Sequence, residues 1–135
     1  MQDSIRTVLV VEDEDGVRNL IRTLLRLSGF DVLACQNAEE ALDLMRARGG
    51  KVNLVVTDIN LGPDMDGIEM AESLRAIYPS LKVLYISGME EQDRIVREVA
   101  GGQASFLMKP FTPGGLREKA GAMLSLVPAV TVSSR

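Results

Sequence analysis

Residues 54–70 have the sequence LVVTDINLGPDMDGIEM, which joins a short apolar run, a loop and the start of a helical pattern. Residues 54–57 show no alternation of polar and apolar types, as is typical of a strand covered on both faces of a parallel sheet. Asp58 follows this run directly, and Asp66 stands where the cap of the next helix is expected. The segment predicts a strand-to-helix unit with a carboxylate at the carboxyl end of its strand.

The same unit recurs along the whole chain. Four-residue runs typical of short buried strands occur at 8–11, 32–35, 54–57, 83–86 and 105–108. Helical patterns follow them and end at Gly29, at Gly49-Gly50, before Pro79, at Gly101-Gly102 and before Pro128. Right-handed crossovers then predict one α/β domain, a doubly wound five-stranded parallel sheet with helices on both faces. We expect this domain at residues 5–127 and a tail or the start of a linker at 128–135.

Three of the helical patterns carry specific expectations. The first has a helical apolar face made of Val17, Leu20, Ile21, Leu24 and Leu25. Asn37 is expected to cap the second helix. The fourth pattern is short and rests on Ile95, Val96 and Val99.

The composition excludes several functions. The 135 residues include no histidine, which removes Ser-His-Asp catalysis, histidine zinc sites and histidine phosphotransfer within this chain. Cys35 is the lone cysteine, so no internal disulfide can form. The net charge of −4 and the lack of a basic cluster argue against nucleic-acid binding by the chain itself. Since no apolar run approaches the roughly 20 residues of a membrane span and no signal peptide is evident, we expect a cytoplasmic protein.

Polar residues follow four of the five predicted strands. Glu12 and Asp13 follow the first strand, Asp58 the third, Ser87 the fourth and Lys109 the fifth. Because ligands of open α/β sheets bind beyond the carboxyl ends of the strands, these side chains are expected to converge there. Carboxylates without histidine or paired cysteine suit Mg²⁺. A carboxylate can also accept a phosphoryl group, whose charge a metal, a lysine and a hydroxyl would stabilise, and Asp58 is the central candidate.

These residues give the chain a resemblance to the response-regulator receiver domain, the phosphoacceptor module of two-component signalling. The resemblance rests on VLVVEDED, LVVTDINLGPDMDGIEM, VLYISG and SFLMKPF, in the order and near the spacing of that family. It implies a flavodoxin-like (βα)5 fold with strand order 2-1-3-4-5. It also implies a regulatory phosphoacceptor rather than an enzyme, although one that contributes to its own phosphorylation and dephosphorylation.

The resemblance also implies roles for single residues. Asp58 would be phosphorylated by a histidine kinase or a histidine phosphotransfer domain. Mg²⁺ would be held by Glu12, Asp13, Asp58 and the backbone carbonyl of Asn60.

The switch would use other residues. Ser87 and Lys109 would contact the phosphoryl group, the Lys109-Pro110 bond would be cis, and Phe106 would occupy the rotating aromatic position. The remodelled surface would comprise the fourth helix, fifth strand and fifth helix, near Ile95, Val99 and Leu116. A homodimer through that surface is a further expectation.

The sequence departs from the family pattern in places. One additional residue lies between Asp58 and the Asp66-Gly67 pair, within residues 61–65, so the loop after the acceptor is longer. Gln103 stands where many members have alanine, and Phe106 lacks the hydroxyl of a tyrosine.

Three alternatives to a conformational phosphoacceptor switch are possible. The domain could be a phosphate shuttle inside a hybrid sensor kinase. Its motifs resemble the receiver domains of hybrid sensor kinases more than they resemble those of transcription factors. A dehalogenase-type phosphatase also uses a strand-end aspartate with Mg²⁺, but that family has a second aspartate where Asn60 stands and its nucleophile on the first strand. A docking receiver that is not phosphorylated usually lacks the acceptor aspartate or one of the acidic residues, and none of these is missing here.

Overall fold

A computed structural model describes residues 5–88, 90, 94–95 and 104–125 of the chain. Its five strands form one parallel sheet in the order β2-β1-β3-β4-β5, which confirms the predicted architecture. The strands are β1 (Thr7–Val11), β2 (Asp31–Cys35), β3 (Leu54–Asp58), β4 (Lys82–Ser87) and β5 (Ala104–Met108). The helices with described bounds are α1 (Asp15–Leu27), α2 (Ala38–Ala47), α3 (Gly67–Ile77) and the C-terminal helix (Pro113–Ser125).

The sheet is covered on both faces, as the non-alternating strands predict. Every residue of β1 and β3 is buried. Leu9 and Val55 point into the apolar layer that contains side chains of α2 and α3. Val10 and Val56 point into the opposite layer, which contains side chains of α1 and the C-terminal helix. Burial on both sides fixes β1 and β3 at the centre of the domain.

The helix boundaries follow local side-chain chemistry. The side chain of Asn37 accepts a hydrogen bond from the Glu40 amide at 2.8 Å, which confirms the predicted cap of α2. Asp66 caps α3 in a reciprocal capping box with Glu69. α1 ends just before Gly29, whose φ of 97° is favourable only for glycine among common residues.

Two expectations need correction. The predicted apolar face of α1 includes Leu20, but the side chain of Leu20 is 49% exposed. The buried residues of this helix are Ile21, Leu24 and Leu25. Ile95 and Leu116, which were placed near exposed positions, are both completely buried in the two apolar layers.

Other expectations fall outside the described residues. Only Arg94 and Ile95 of the fourth helical pattern are described, so the expectations for Val96 and Val99 lie outside the described residues. The same is true of Gln103 and of the tail at 128–135. None of the helices in the described part of the chain is long and apolar enough to cross a bilayer.

Candidate functional site

The carboxyl edge of the sheet holds a group of three carboxylates. Glu12, Asp13 and Asp58 each present a carboxylate oxygen, and these three oxygens lie within 4.8 Å of one another. Glu12 follows β1 and Asp58 ends β3, and these two strands are hydrogen-bonded neighbours. Both side chains are buried, whereas Asp13 is exposed. The structure therefore brings together the acidic residues that the sequence placed at two strand ends.

Glu12 is buried, and its two carboxylate oxygens differ in their hydrogen bonding. Its Oε2 accepts a hydrogen bond from the Glu14 amide at 3.1 Å, but its buried Oε1 has no hydrogen-bond partner in the part of the chain that the structure describes. Burial raises the pKa of Glu12 to about 7, with help from the charge of Asp58, while the Glu14 amide and Lys109 oppose this change. A buried, unpartnered carboxylate oxygen beside two further carboxylates is suited to a hard cation.

Asp58 is held by one group on each carboxylate oxygen. Lys109 Nζ lies 2.8 Å from Oδ2, and the Asn60 amide donates to Oδ1 at 3.1 Å. Burial lowers the pKa of Lys109, but its hydrogen bond to Asp58 and the charges of Asp58, Glu12 and Glu14 outweigh this effect and raise it. Lys109 therefore remains a cation at neutral pH.

Ser87 lies at the end of β4, between the strands of Asp58 and Lys109. Its hydroxyl is completely buried and has no hydrogen-bond partner among the described residues. Its backbone carbonyl accepts a hydrogen bond from the Lys109 amide at 2.8 Å, and the Lys109-Pro110 peptide bond is cis. A buried hydroxyl without a partner is costly, which makes Ser87 a donor available to a group that would arrive at Asp58.

Phe106 lies on β5, opposite Tyr85 of β4. Its side chain is half-buried and packs against the layer that contains α2 and α3. Lys119 Nζ lies 5.9 Å from the centroid of the ring, within the range of a weak cation–π contact. Phe106 therefore stands between the core and the surface.

The loop after Asp58 contains two features that sequence reasoning missed. Gly67 packs directly on the backbone of Asp58, whose carbonyl oxygen also accepts a hydrogen bond from the Thr57 hydroxyl at 2.8 Å. Arg94 forms an ion pair of 2.7 Å with Asp66. The Asp66-Gly67 pair predicts a turn, but the sequence alone does not predict either of these contacts.

The arrangement is chemically consistent with phosphoryl acceptance. A buried carboxylate lies beside a lysine and two further carboxylates, and a buried hydroxyl ends the neighbouring strand. These are the groups that balance charge around a transferred phosphoryl group. Negative charge exceeds positive charge in the group, so a divalent cation fits its donor set.

The chain is similar to known proteins that contain one kind of domain. Residues 8–121 match the model of the response regulator receiver domain. Sensor kinase CckA of Brucella abortus is 39% identical over 107 residues, which are 78% of this chain and 11% of that protein. The cell cycle transcriptional regulator CtrA of Caulobacter vibrioides is 35% identical over 107 residues, covering 77% of this chain and 44% of that protein.

A solved structure extends the comparison to three dimensions. The crystal structure of the receiver domain of NtrX from Brucella abortus superimposes with a TM-score of 0.81 at 30% identity, covering 89% of this chain and 99% of that one. The chain spans less than half the length of CckA and CtrA but almost the whole of this receiver domain. Since the family match extends over most of its length, the chain belongs to the response regulator receiver domain family.

Proposed function

We propose that this domain accepts a phosphoryl group on Asp58 from the phosphohistidine of a histidine kinase or a histidine phosphotransfer domain. The observation that carries the proposal is the position of the Asp58 carboxylate, which is buried beside Lys109 at 2.8 Å and within 4.8 Å of the other carboxylates. Because the chain contains no histidine, the donor must lie on another protein or domain. We expect this transfer to take place in the cytoplasm.

The transfer converts a carboxylate into an acyl phosphate. An oxygen of Asp58 forms a bond to phosphorus while the bond between phosphorus and the donor imidazole breaks, and the electron pair returns to the imidazole nitrogen. Lys109 faces the charge that remains on the phosphoryl oxygens, and its raised pKa keeps it protonated. The hydroxyl of Ser87 supplies a further donor from the neighbouring strand.

Glu12, Asp13, Asp58 and the backbone carbonyl of Asn60 are proposed to hold Mg²⁺. When bound, Mg²⁺ supplies positive charge that offsets the repulsion between the carboxylates and the incoming phosphoryl group. The unpartnered Oε1 of Glu12 supports this assignment, since it is a buried acceptor without a donor. Mg²⁺ sites of this kind keep several waters, so we expect weak binding.

Phosphorylation is proposed to act through Ser87 and Phe106. A phosphoryl group adds charge and acceptor oxygens at Asp58. Movement of the Ser87 hydroxyl toward these oxygens would vacate space beside β5, into which Phe106 can turn, because its ring has no hydroxyl to satisfy. The surface of the fourth helix, β5 and the C-terminal helix would change, and a homodimer could form there.

A second candidate is a phosphate shuttle within a hybrid kinase. The observation that favours it is the 39% identity with part of a sensor kinase. The chemistry at Asp58 is the same, but the phosphoryl group passes on to a second histidine instead of driving a surface change. We do not propose the dehalogenase-type phosphatase, because Asp58 lies on the third strand and the chain belongs to another family.

Small-molecule phosphorylation tests the proposal. The chain is incubated with acetyl phosphate and Mg²⁺, and the mass increase of one phosphoryl group is measured in the wild type and Asp58→Asn. We expect acid- and base-labile modification in the wild type and none in the variant. Asp43→Asn is the matched control, because Asp43 is exposed on α2 and pairs only with Arg46 among the described residues. Equal modification of Asp58→Asn and the wild type would refute the assignment.

A metal titration tests the cation site separately. Asp13→Asn leaves the buried residues in place but removes one exposed carboxylate of the group. We expect weaker Mg²⁺ binding and slower phosphorylation in this variant, both measured against Asp43→Asn. An unchanged Mg²⁺ titration would remove Asp13 from the site.

A further inference from the structure

A cleft lies next to the loop that follows Asp58, on the side of the sheet covered by α2 and α3. This cleft has a volume of about 490 Å³ and is formed by the start of α2 and the loop between β3 and α3. Its apolar lining comprises Ala38 and Leu61, which are buried, and Leu42 and Met65, which are half-buried. Its volume is within the ~300–1,000 Å³ typical of ligand-binding clefts.

The wall of the cleft is the loop that contains the additional residue. Gly62 adopts a φ of 117°, a backbone conformation that residues with a side chain rarely adopt, and the chain bends at Pro63 and Asp64. Hydrogen bonds hold both ends of the loop at the end of β3: the Asn60 amide donates to the Asp58 side chain, and the Gly67 amide donates to the carbonyl of Ile59, the residue after the strand, at 2.8 Å. The cleft is therefore held in shape by hydrogen bonds, which lowers the entropic cost of binding into it.

The charges around the cleft select the kind of ligand. Glu39 and Asp64 line it and are exposed, and neither forms an ion pair with another residue in the described part of the chain. Two carboxylates beside an apolar lining repel anions and attract a cation whose neighbour is apolar. Nucleotides, acidic peptides and fatty acids are disfavoured by this arrangement.

We propose that this cleft docks a short segment of a partner protein in which an aliphatic side chain is flanked by arginine or lysine. The aliphatic side chain packs against Leu42, Leu61 and Met65, and the flanking cations pair with Glu39 and Asp64. Met65 can adapt its unbranched side chain to different occupants. The proposal does not depend on phosphorylation of Asp58, since the cleft exists around the unmodified carboxylate.

The test uses two short peptides of opposite charge. Acetyl-Arg-Leu-Arg-amide and acetyl-Glu-Leu-Glu-amide are titrated into the isotope-labelled chain, and amide and methyl chemical shifts are followed. We expect the basic peptide to shift residues 37–42 and 61–65 in the millimolar range, as a three-residue probe makes few contacts. The acidic peptide should bind at least about fivefold more weakly, because both of its flanking charges are repelled.

Variants of the chain separate charge from shape. Glu39→Gln combined with Asp64→Asn should weaken binding of the basic peptide by about threefold or more. Glu118→Gln, on an exposed position of the C-terminal helix, is the matched control and should leave binding unchanged. Met65→Ser should weaken the binding of both peptides.

Several results would overturn the proposal. These are equal affinity for the two peptides, shifts outside the cleft only, no shifts at all, or no effect of the double variant. The same shifts on raising the protein concentration without peptide would show a contact between copies of the chain instead, and would also overturn it.

Discussion

Gly67 lies against the backbone of Asp58 so closely that a β-carbon on Gly67 would be 2.2 Å from the Asp58 carbonyl oxygen. The same β-carbon would be 3.0 Å from the Thr57 hydroxyl oxygen. Neither neighbour is the far end of a flexible side chain, so the backbone of the acceptor strand or the start of α3 would have to move. The close approach places the N-terminus of α3 beside Asp58.

Gly67→Ala is therefore expected to be destabilising by about 1–3 kcal/mol, the usual range for an overpacked interior. Since the displaced group belongs to Asp58, phosphorylation by acetyl phosphate should also become slower. Urea denaturation and the initial phosphorylation rate measure the two effects. Gly121→Ala is the control: outside the helix's own backbone, no described residue has an atom within 4 Å of the added β-carbon, and within a helix it should stabilise by up to about 1 kcal/mol. Wild-type values for Gly67→Ala would show that the contact relaxes without cost.

Ser87→Ala should separate stability from switching. The buried hydroxyl has no hydrogen-bond partner within the described ranges, so its removal is expected to leave the free energy of unfolding unchanged or slightly higher. Beryllofluoride, a phosphoryl mimic, should shift amide signals near Asp58, Ser87 and Phe106 in the wild type. In the variant it should shift signals near Asp58 only. If the wild type itself responds only near Asp58, the domain is a phosphate shuttle rather than a conformational switch.

Glu12 should make stability depend on pH in a direction opposite to most carboxylates. Its pKa is raised from 4.5 to about 7, so between these values the folded state binds a proton that the unfolded state has lost. Its contribution to stability is full below pH 4.5 and is lost as the pH rises toward 7, at up to about 1.4 kcal/mol per pH unit. The unfolding free energy of the wild type should therefore fall relative to that of Glu12→Gln as the pH rises over this range.

Mg²⁺ provides a check on the same group. Because the cation requires the ionised carboxylate, added Mg²⁺ should offset this loss at pH 7 and above but have little effect near pH 5. A pH dependence that is identical in the wild type and Glu12→Gln would show that Glu12 ionises normally.

Asp66 has two functions that substitutions can separate. One carboxylate oxygen accepts the Glu69 amide at 2.9 Å, and the other pairs with Arg94 at 2.7 Å. Asp66→Asn keeps an N-cap acceptor but removes the charge, so a loss of only about 0.2–1 kcal/mol is expected. Asp66→Ala removes both, and a further loss of about 0.5–2 kcal/mol is expected.

A double-mutant cycle with Arg94→Gln isolates the ion pair, since Arg94 has a further interaction of its own. The coupling energy between Asp66 and Arg94, obtained from the wild type, the two single variants and the double variant, should be about 0.2–1 kcal/mol and should fall as salt is raised. Equal losses in Asp66→Asn and Asp66→Ala would show that charge, not capping, is the contribution of this residue.

The sheet and its order of elements were predictable because they depend on local patterns. Non-alternating apolar runs predict buried parallel strands, and Asn37 and Asp66 are capping residues wherever a helix follows them. The strand ends place Asp58, Ser87 and Lys109 at one edge for a topological reason, since all five strands are parallel. No long-range information was needed for either conclusion.

Other features depend on contacts between distant parts of the chain. The exposure of Leu20 follows from how far α1 is covered, and the closeness of Gly67 to Asp58 follows from how the loop returns to the strand. The raised pKa of Glu12 results from burial beside a carboxylate that is 46 positions later in the sequence. The cleft at Leu61 and Met65 forms only when this loop packs beside α2. The sequence by itself determined which elements form and which chemical groups end them, because those depend on near neighbours. Only the tertiary structure decided how tightly these groups approach and how far water is excluded from them, because packing and burial depend on the whole chain.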